Sequence, residues 1–116
     1  MKILHLDTNH PLLIQQLQAF GLINDEDYTS SKDEIEAKIS EYDGIIIRSR
    51  FSIDRQFIDK ATKLKFIGRV GAGLENIDLK YCKENNIEVF RSPEGNRDAV
   101  AEHTLGMILN LINHIN

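Results

Sequence analysis

The stretch that decides the fold is Gly-Ile-Ile-Ile-Arg at residues 44–48. Its three successive β-branched residues make a continuous apolar run, which is typical of a strand covered on both faces of a sheet. On both sides of this run, short β-rich segments alternate with segments whose apolar residues recur at helical spacing. This alternation predicts an α/β protein with a parallel sheet and helices on both faces, because parallel strands need crossover connections.

Strands and helices are predicted to alternate along the whole chain. The five predicted strands cover residues 2–6, 23–28, 44–48, 65–70 and 87–90. The five predicted helices cover residues 11–20, 31–42, 54–62, 78–85 and 98–114. Ser31 and Glu34 form a capping box at the start of the second helix, and Gly21 ends the first.

Composition excludes several classes of protein. The chain has 116 residues, of which 41% are hydrophobic and 28% charged, so it resembles average soluble domains rather than fibrous or disordered chains. One domain of this length folds without disulfides or a structural metal. The formal net charge is −4, which argues against nucleic-acid partners because these need a basic face. The single cysteine, Cys82, cannot form an internal disulfide and indicates a reducing, cytoplasmic setting.

Patterns for metal, membrane and phosphorelay sites are missing from the sequence. The four histidines do not pair at i, i+4 and no second cysteine accompanies Cys82, so no metal site is predicted. The longest apolar-rich stretch, residues 104–112, is too short to span a membrane, and the N-terminus is too polar for a signal peptide. A phosphorelay receiver domain would need an aspartate after the third strand, where Arg48 stands.

Two arginines follow the third strand, at the edge where parallel sheets bind ligands. Arg48 and Arg50 flank Ser49, and a guanidinium pairs bidentately with phosphate or carboxylate oxygens. The triplet therefore indicates an anion-binding site, with solvated surface arginines as the alternative. Further arginines at positions 69, 91 and 97 predict a positive mouth on an acidic body, unless they are dispersed around the rim.

A glycine-rich turn follows the fourth strand. Gly71, Ala72 and Gly73 carry no side chain larger than a methyl group, so their backbone N–H groups can form a nest for an anion. A tight turn that needs glycine only for a positive φ is the alternative. The glycine spacing is not that of a dinucleotide fingerprint, and Phe90 and Arg91 occupy the end of the next strand, where that fingerprint has an acidic residue.

Several linked motifs resemble, in order and spacing, the NAD-dependent D-2-hydroxyacid dehydrogenases. The motifs are IRSR at 47–50, ATKLKFIGR at 61–69, VGAGLENID at 70–78, RSPEGN at 91–96 and AVAEH at 99–103. The resemblance is clear over residues 43–111 and only architectural before them. Within the family, it is greatest to the members that act on 3-phosphoglycerate.

The resemblance implies a two-part organisation for this chain. Residues 1–97 would form a flavodoxin-like substrate-binding domain, with a doubly wound sheet of five parallel strands. Residues 98–116 would form a long crossover helix that leads, through a hinge at Pro93 and Asn96, into a Rossmann domain. That second domain binds NAD and carries the catalytic Arg, Glu and His of the family. No catalytic residue is therefore assigned here, and the chain by itself is expected to be inactive and to bind no cofactor.

The resemblance also assigns roles to individual residues. The carboxylate-binding amides of the family match Ala72 and Gly73, and the basic pair that faces the substrate phosphate matches Arg48 and Arg50. Ala72 also matches a position that touches the nicotinamide side of NAD. Glu75 stands where the family usually has Asp, a conservative difference that leaves the assignment of the turn unchanged.

The leading interpretation is a substrate-binding domain for 3-phosphoglycerate, in serine biosynthesis. Its partner would be a small anion that carries both a phosphate and a carboxylate, with no nucleic acid and no membrane involved. Other D-2-hydroxyacids remain open as substrates, among them hydroxypyruvate, glyoxylate and erythronate phosphate. An interpretation from a different class is a flavodoxin-like interaction module that stands alone and has no enzymatic role.

The last predicted helix is apolar around much of its circumference. Such a helix needs more than one packing partner, and the resemblance places one of them on the Rossmann domain. We therefore expect an uncovered apolar face, and an exposed apolar face favours association. The sequence predicts self-association through residues 99–115.

Overall fold

A computed structural model describes residues 1–8, 11–71, 73–92 and 97–115. Within these ranges, five strands form one parallel sheet in the order β2-β1-β3-β4-β5. The strands are β1 (Lys2–His5), β2 (Ile23–Glu26), β3 (Gly44–Ile47), β4 (Phe66–Val70) and β5 (Glu88–Ser92). The helices are α1 (Pro11–Ala19), α2 (Lys32–Lys38), α3 (Arg55–Lys60), α4 (Leu79–Glu84) and α5 (Arg97–Ile115). The predicted doubly wound, flavodoxin-like strand order is confirmed.

Side-chain caps start the helices where the sequence predicts them. The Glu34 N–H donates to Ser31 Oγ at 3.2 Å, and the Ser31 N–H donates to Glu34 Oε1 at 3.0 Å. Asp54 and Asp78 each accept from the N–H three residues on, both at 3.0 Å. The second helix ends earlier than predicted, because a short 3-10 helix at Ile39–Glu41 replaces its last turns.

Strand β3 lies between two hydrophobic cores. All four of its residues are buried. Ile45 and Ile47 belong to the core that α2, α3 and α4 cover, whereas Ile46 belongs to the core under α1 and α5. The predicted burial of this strand on both faces is therefore confirmed, and its carboxyl end lies near the middle of the ligand-binding edge.

Helix α5 packs on the sheet beside α1. Ala101, Thr104 and Ile108 are buried, and Leu105 and Leu111 pack against the same core. One apolar face of this helix therefore has its partner inside the chain, in α1 and the sheet, and the expected uncovered second face stays a prediction. The exposed large hydrophobic residues of the described part of the chain lie elsewhere: Phe20, Ile23 and Leu79.

Self-association through residues 99–115 stays a prediction. Met107 is only half-buried, and its remaining apolar surface could be covered by a second copy. We expect sedimentation at micromolar concentrations to give a mass that rises with concentration, and Met107→Lys to lower it. Gln18→Lys, at an exposed position of α1, is the matched control. A wild-type chain that stays monomeric would contradict the prediction.

No helix among the described residues is both long and apolar enough to cross a membrane.

Candidate functional site

The segments that follow β3 and β4 run side by side beyond the sheet. Ile53 and Ile77 form a parallel bridge, and the Ile53 N–H donates to the Asn76 carbonyl at 2.8 Å. Because β3 and β4 are neighbours in the sheet, residues 48–50 and Gly71 leave the sheet at the same edge. The two predicted anion-binding elements are therefore adjacent, as the sequence analysis requires.

The glycine turn after β4 is partly used for structure. Gly71 has a φ of +151°, a value that favours glycine, and its N–H donates to the Ser92 carbonyl at 3.0 Å. Ala72 lies outside the described residues. The Gly73 N–H has no acceptor among the described residues. Gly71 therefore shapes the turn, whereas Gly73 keeps an N–H without an acceptor, with the Glu75 carboxylate packed against this glycine.

The guanidinium of Arg69 lies against this turn. A Cβ on Gly71 would stand 2.5 Å from Arg69 Nη1. Arg69 Nε and Nη1 are buried and have no acceptor among the described residues. Burying charged donors without partners is costly, and the oxygens of an anionic ligand would supply the missing acceptors. Sequence reasoning counted Arg69 only as one more cation at the edge, whereas the structure makes it the centre of the candidate site.

Asp7 holds the turn after β3. Its Oδ2 accepts from the N–H groups of Arg48 at 2.6 Å, Ser49 at 3.2 Å and Arg50 at 3.3 Å. Asp7 follows β1, which neighbours β3 at the point where the strand order reverses. The sequence analysis did not single out Asp7. The available signal was an acidic residue directly after a strand at this switch point.

The Arg50 guanidinium donates to main-chain carbonyls. Nη1 donates to the Leu6 carbonyl at 3.0 Å and to the Asp27 carbonyl, and Nη2 donates to the Ser30 carbonyl. Nη2 also lies 3.9 Å from the Asp27 carboxylate. Arg50 thus ties together the segments that follow β1, β2 and β3. This arrangement does not support the prediction that Arg50 faces a substrate phosphate, because both terminal nitrogens already donate inward.

Arg48 and Ser49 remain the candidates for a phosphate at this turn. Ser49 is exposed and Arg48 is half-buried. On the other side of the glycine turn, Arg91 pairs with Arg69 in the register of β4 and β5 and is exposed. The side chain of Arg97 lies outside the described residues. Four arginines of the predicted positive mouth have described side chains. Each lies within three residues of the carboxyl end of a strand, at the same edge of the sheet: Arg48, Arg50, Arg69 and Arg91.

Ser92 joins the glycine turn to α5. Its carbonyl accepts from the Gly71 N–H, and its buried Oγ lies 2.7 Å from His103 Nδ1 and 2.8 Å from Thr104 Oγ1. The sequence analysis did not identify this role for Ser92. The Ser92 hydroxyl thus bonds to both His103 and Thr104, which fixes the first half of α5 against the end of β5.

The Asp27 carboxylate collects donors from three residues. It accepts from Lys38 Nζ and Ser30 Oγ, both at 2.7 Å, and from the N–H groups of Ser30 at 2.9 Å and Thr29 at 3.2 Å. The hydrogen bond from Lys38, followed by those from Ser30, holds the pKa of Asp27 well below its ordinary value of 3.8. The ionised form of this carboxylate is therefore part of the folded state.

Acid should weaken the fold in two separate ranges of pH. Burial lowers the pKa of His5 below its ordinary value of 6.5, so the unfolded chain binds a proton that the folded chain excludes. The free energy of unfolding should fall as the pH drops below 6.5, and fall again below 3.8 as Asp27 is protonated on unfolding. Urea unfolding across this range tests the prediction. His5→Gln should remove only the upper loss. Asp27→Asn should reduce only the lower loss, to which Asp54 also contributes because the hydrogen bond from Lys32 lowers its pKa. A variant that leaves its own range unchanged would contradict the assignment.

The described residues do not fit a resident metal or a bound dinucleotide. Within them, no group of three or more His, Cys, Asp or Glu side chains could hold a metal ion. The end of β5 carries Arg91 and Ser92, where a dinucleotide fingerprint would place an acidic residue for the ribose. Ala72, assigned by resemblance to the nicotinamide side of NAD, and the hinge residues Pro93 and Asn96 lie outside the described residues.

Comparison with known families identifies the chain. The family model for the D-isomer specific 2-hydroxyacid dehydrogenase, catalytic domain, matches residues 3–107. The chain belongs to this family of D-2-hydroxyacid dehydrogenases. The resemblance inferred from the motifs is therefore confirmed, and with it the assignment of the chain to an oxidoreductase family.

Individual relatives of this dehydrogenase domain are similar along almost its whole length. It is 37% identical over 114 residues to D-3-phosphoglycerate dehydrogenase of Sus scrofa, and 38% identical over 110 residues to that of Methanocaldococcus jannaschii. These alignments cover 98% and 94% of this chain but 21% of each relative. The chain thus spans about a fifth of the length of the curated relatives that it matches.

Solved structures agree with this placement. The PH0520 protein from Pyrococcus horikoshii matches with a TM-score of 0.75 and 30% identity, over 98% of this chain and 34% of that one. The NAD+-bound 3-phosphoglycerate dehydrogenase of Entamoeba histolytica matches with a TM-score of 0.69 and 33% identity, over 93% of this chain and 38% of that one. The dehydrogenase domain described here therefore shares its fold with part of these longer chains.

Proposed function

We propose that this chain is the substrate-binding domain of an NAD-dependent D-2-hydroxyacid dehydrogenase whose substrate is 3-phosphoglycerate. The observation that carries the proposal is Arg69, whose buried Nε and Nη1 lack acceptors beside a glycine turn with an unused N–H at Gly73. A carboxylate would satisfy both groups at once. The relatives named D-3-phosphoglycerate dehydrogenase support the choice of a phosphorylated substrate.

In the proposal, each of the two adjacent turns binds one anionic group of the substrate. Arg69 and the Gly73 N–H hold the carboxylate, because both offer donors without acceptors. The Glu75 carboxylate lies against Gly73, so in the proposal this side chain turns away when the ligand binds. Arg48 and Ser49 face the phosphate, since a guanidinium and a hydroxyl complement its oxygens. Hydroxypyruvate and glyoxylate would use only the glycine turn, whereas erythronate phosphate would use both turns.

The redox chemistry lies outside this chain in the proposal. NAD supplies the hydride acceptor when it is bound in the enzyme, and the residues here bind and orient the substrate. This chain alone should give no NADH with 3-phosphoglycerate and NAD. A reducing cytoplasm as its compartment is part of the proposal, since it rests on the single cysteine.

An NMR titration of the isotope-labelled chain tests the proposed site. With 3-phosphoglycerate, we expect the amide signals of Ser49 and Gly73 to shift together with one saturation curve. D-glycerate, which lacks the phosphate, should shift Gly73 and leave Ser49 near its starting position. Lys83, on α4 away from both turns, serves as the reference. Shifts that are scattered over the surface, or equal for sulfate and 3-phosphoglycerate, would overturn the proposal and favour an interaction module.

A further inference from the structure

The turn after β3 is a backbone nest that the chain fills with its own carboxylate. Three consecutive N–H groups, from Arg48 to Arg50, point at one oxygen of Asp7. Successive N–H groups in such a turn form a concave site for an anion. Because Asp7 already occupies this nest, the backbone of the turn is not a place for the substrate, and only the side chains of Arg48 and Ser49 can contribute to binding there.

Asp7 and Arg50 hold this region by separate sets of bonds. Arg50 reaches away from the turn, to the carbonyls of Leu6, Asp27 and Ser30, and so keeps the neighbouring segments together. Asp7 acts on the turn itself, through its N–H groups. The segments would therefore stay tied by Arg50 without Asp7, but the main chain at Arg48 would lose the contact that fixes its direction.

We propose that Asp7 is a positioning residue that sets the Arg48 side chain for the substrate phosphate. The proposal rests on the function proposed above. Asp7 acts through charge-assisted hydrogen bonds from backbone N–H groups, and the shortest of these, from Arg48, is 2.6 Å long. The amides that Asp7 binds belong to the turn after β3, whereas the proposed carboxylate end of the substrate lies at the glycine turn after β4. Loss of Asp7 should therefore weaken binding of phosphorylated ligands selectively.

Titrations of Asp7 variants with two ligands test this inference. Asp7→Ala should lower the affinity for 3-phosphoglycerate by about tenfold, roughly the worth of one well-placed charge-assisted hydrogen bond. Its affinity for D-glycerate should stay within about twofold of the wild type, well below that tenfold step. Asp7→Asn keeps an acceptor oxygen and should recover part of the lost affinity. Asp33→Ala, which removes the same charge at an exposed position of α2, should change neither affinity.

The outcomes separate this inference from the proposed function. An equal loss for both ligands would reduce Asp7 to a structural residue and overturn the inference, and so would unchanged binding in Asp7→Ala. If Asp7→Ala fails to fold by urea unfolding, Asp7→Asn decides: it must bind 3-phosphoglycerate more weakly than the wild type and D-glycerate equally well. A wild-type chain that binds neither ligand would instead count against the proposed function itself.

Discussion

Arg50→Ala is expected to lower the free energy of unfolding by about 3 kcal/mol or more. The guanidinium donates to three main-chain carbonyls from two other segments, and its side chain is only 14% exposed. Hydrogen bonds from a charged donor each contribute about 1.5–3 kcal/mol, although their sum is not additive. Removing the side chain also takes a donor from these partly buried carbonyls. Urea unfolding measures the loss, which corresponds to a melting temperature about 10 °C lower.

Two further variants show whether the loss belongs to these contacts. Arg50→Lys keeps the positive charge but replaces the planar fork by a single ammonium, which cannot reach the three carbonyls together, so it should recover little of the stability. Arg55→Ala removes an exposed guanidinium that lies 4.4 Å from the Tyr81 ring and should cost about 1 kcal/mol or less. If Arg50→Ala cost no more than Arg55→Ala, the role assigned to Arg50 would be wrong.

Arg69→Met should have the opposite effect on stability and remove the ligand site. Arg69 Nε and Nη1 are buried without acceptors, and an apolar chain of similar length removes the cost of these two unsatisfied donors, about 1 kcal/mol or more. The same change removes the main donor for a carboxylate. We expect the variant to unfold at higher urea and to bind 3-phosphoglycerate at least about tenfold more weakly.

A cation outside the site provides the control for this pair of measurements. Lys80 is an exposed cation on α4, away from both turns, so Lys80→Met should change neither stability nor binding by much. A less stable Arg69→Met would mean that its guanidinium is satisfied in the folded protein. Unchanged binding would take Arg69 out of the site. Gain of stability with loss of binding is the combination expected when a site is strained for function.

The fold was predictable because its signals are local. The isoleucine run of β3 and the capping box of Ser31 and Glu34 each act within a few residues, and both are confirmed. The cover of α5 was not predictable, because an apolar helix does not specify which surface it will meet. The pattern of Ala101 and Ile108 is compatible with packing on another domain or on α1, and the structure has the second.

The candidate site was predictable in its residue types but not in their partners. Sequence position could not distinguish Arg48 from Arg50, because the carbonyls that bind Arg50 lie 44, 23 and 20 residues away. The same holds for Asp7, which lies 41 residues before the first amide that it binds. The burial of Arg69 Nε and Nη1 without acceptors likewise depends on how the chain packs, and no sequence spacing predicts it.

Ser92 gives the glycine turn and α5 a common anchor. One end of this residue fixes Gly71, and the other fixes His103 and Thr104. The main chain of Ser92 thus contacts the turn while its hydroxyl contacts the helix, so one residue joins the candidate site to α5.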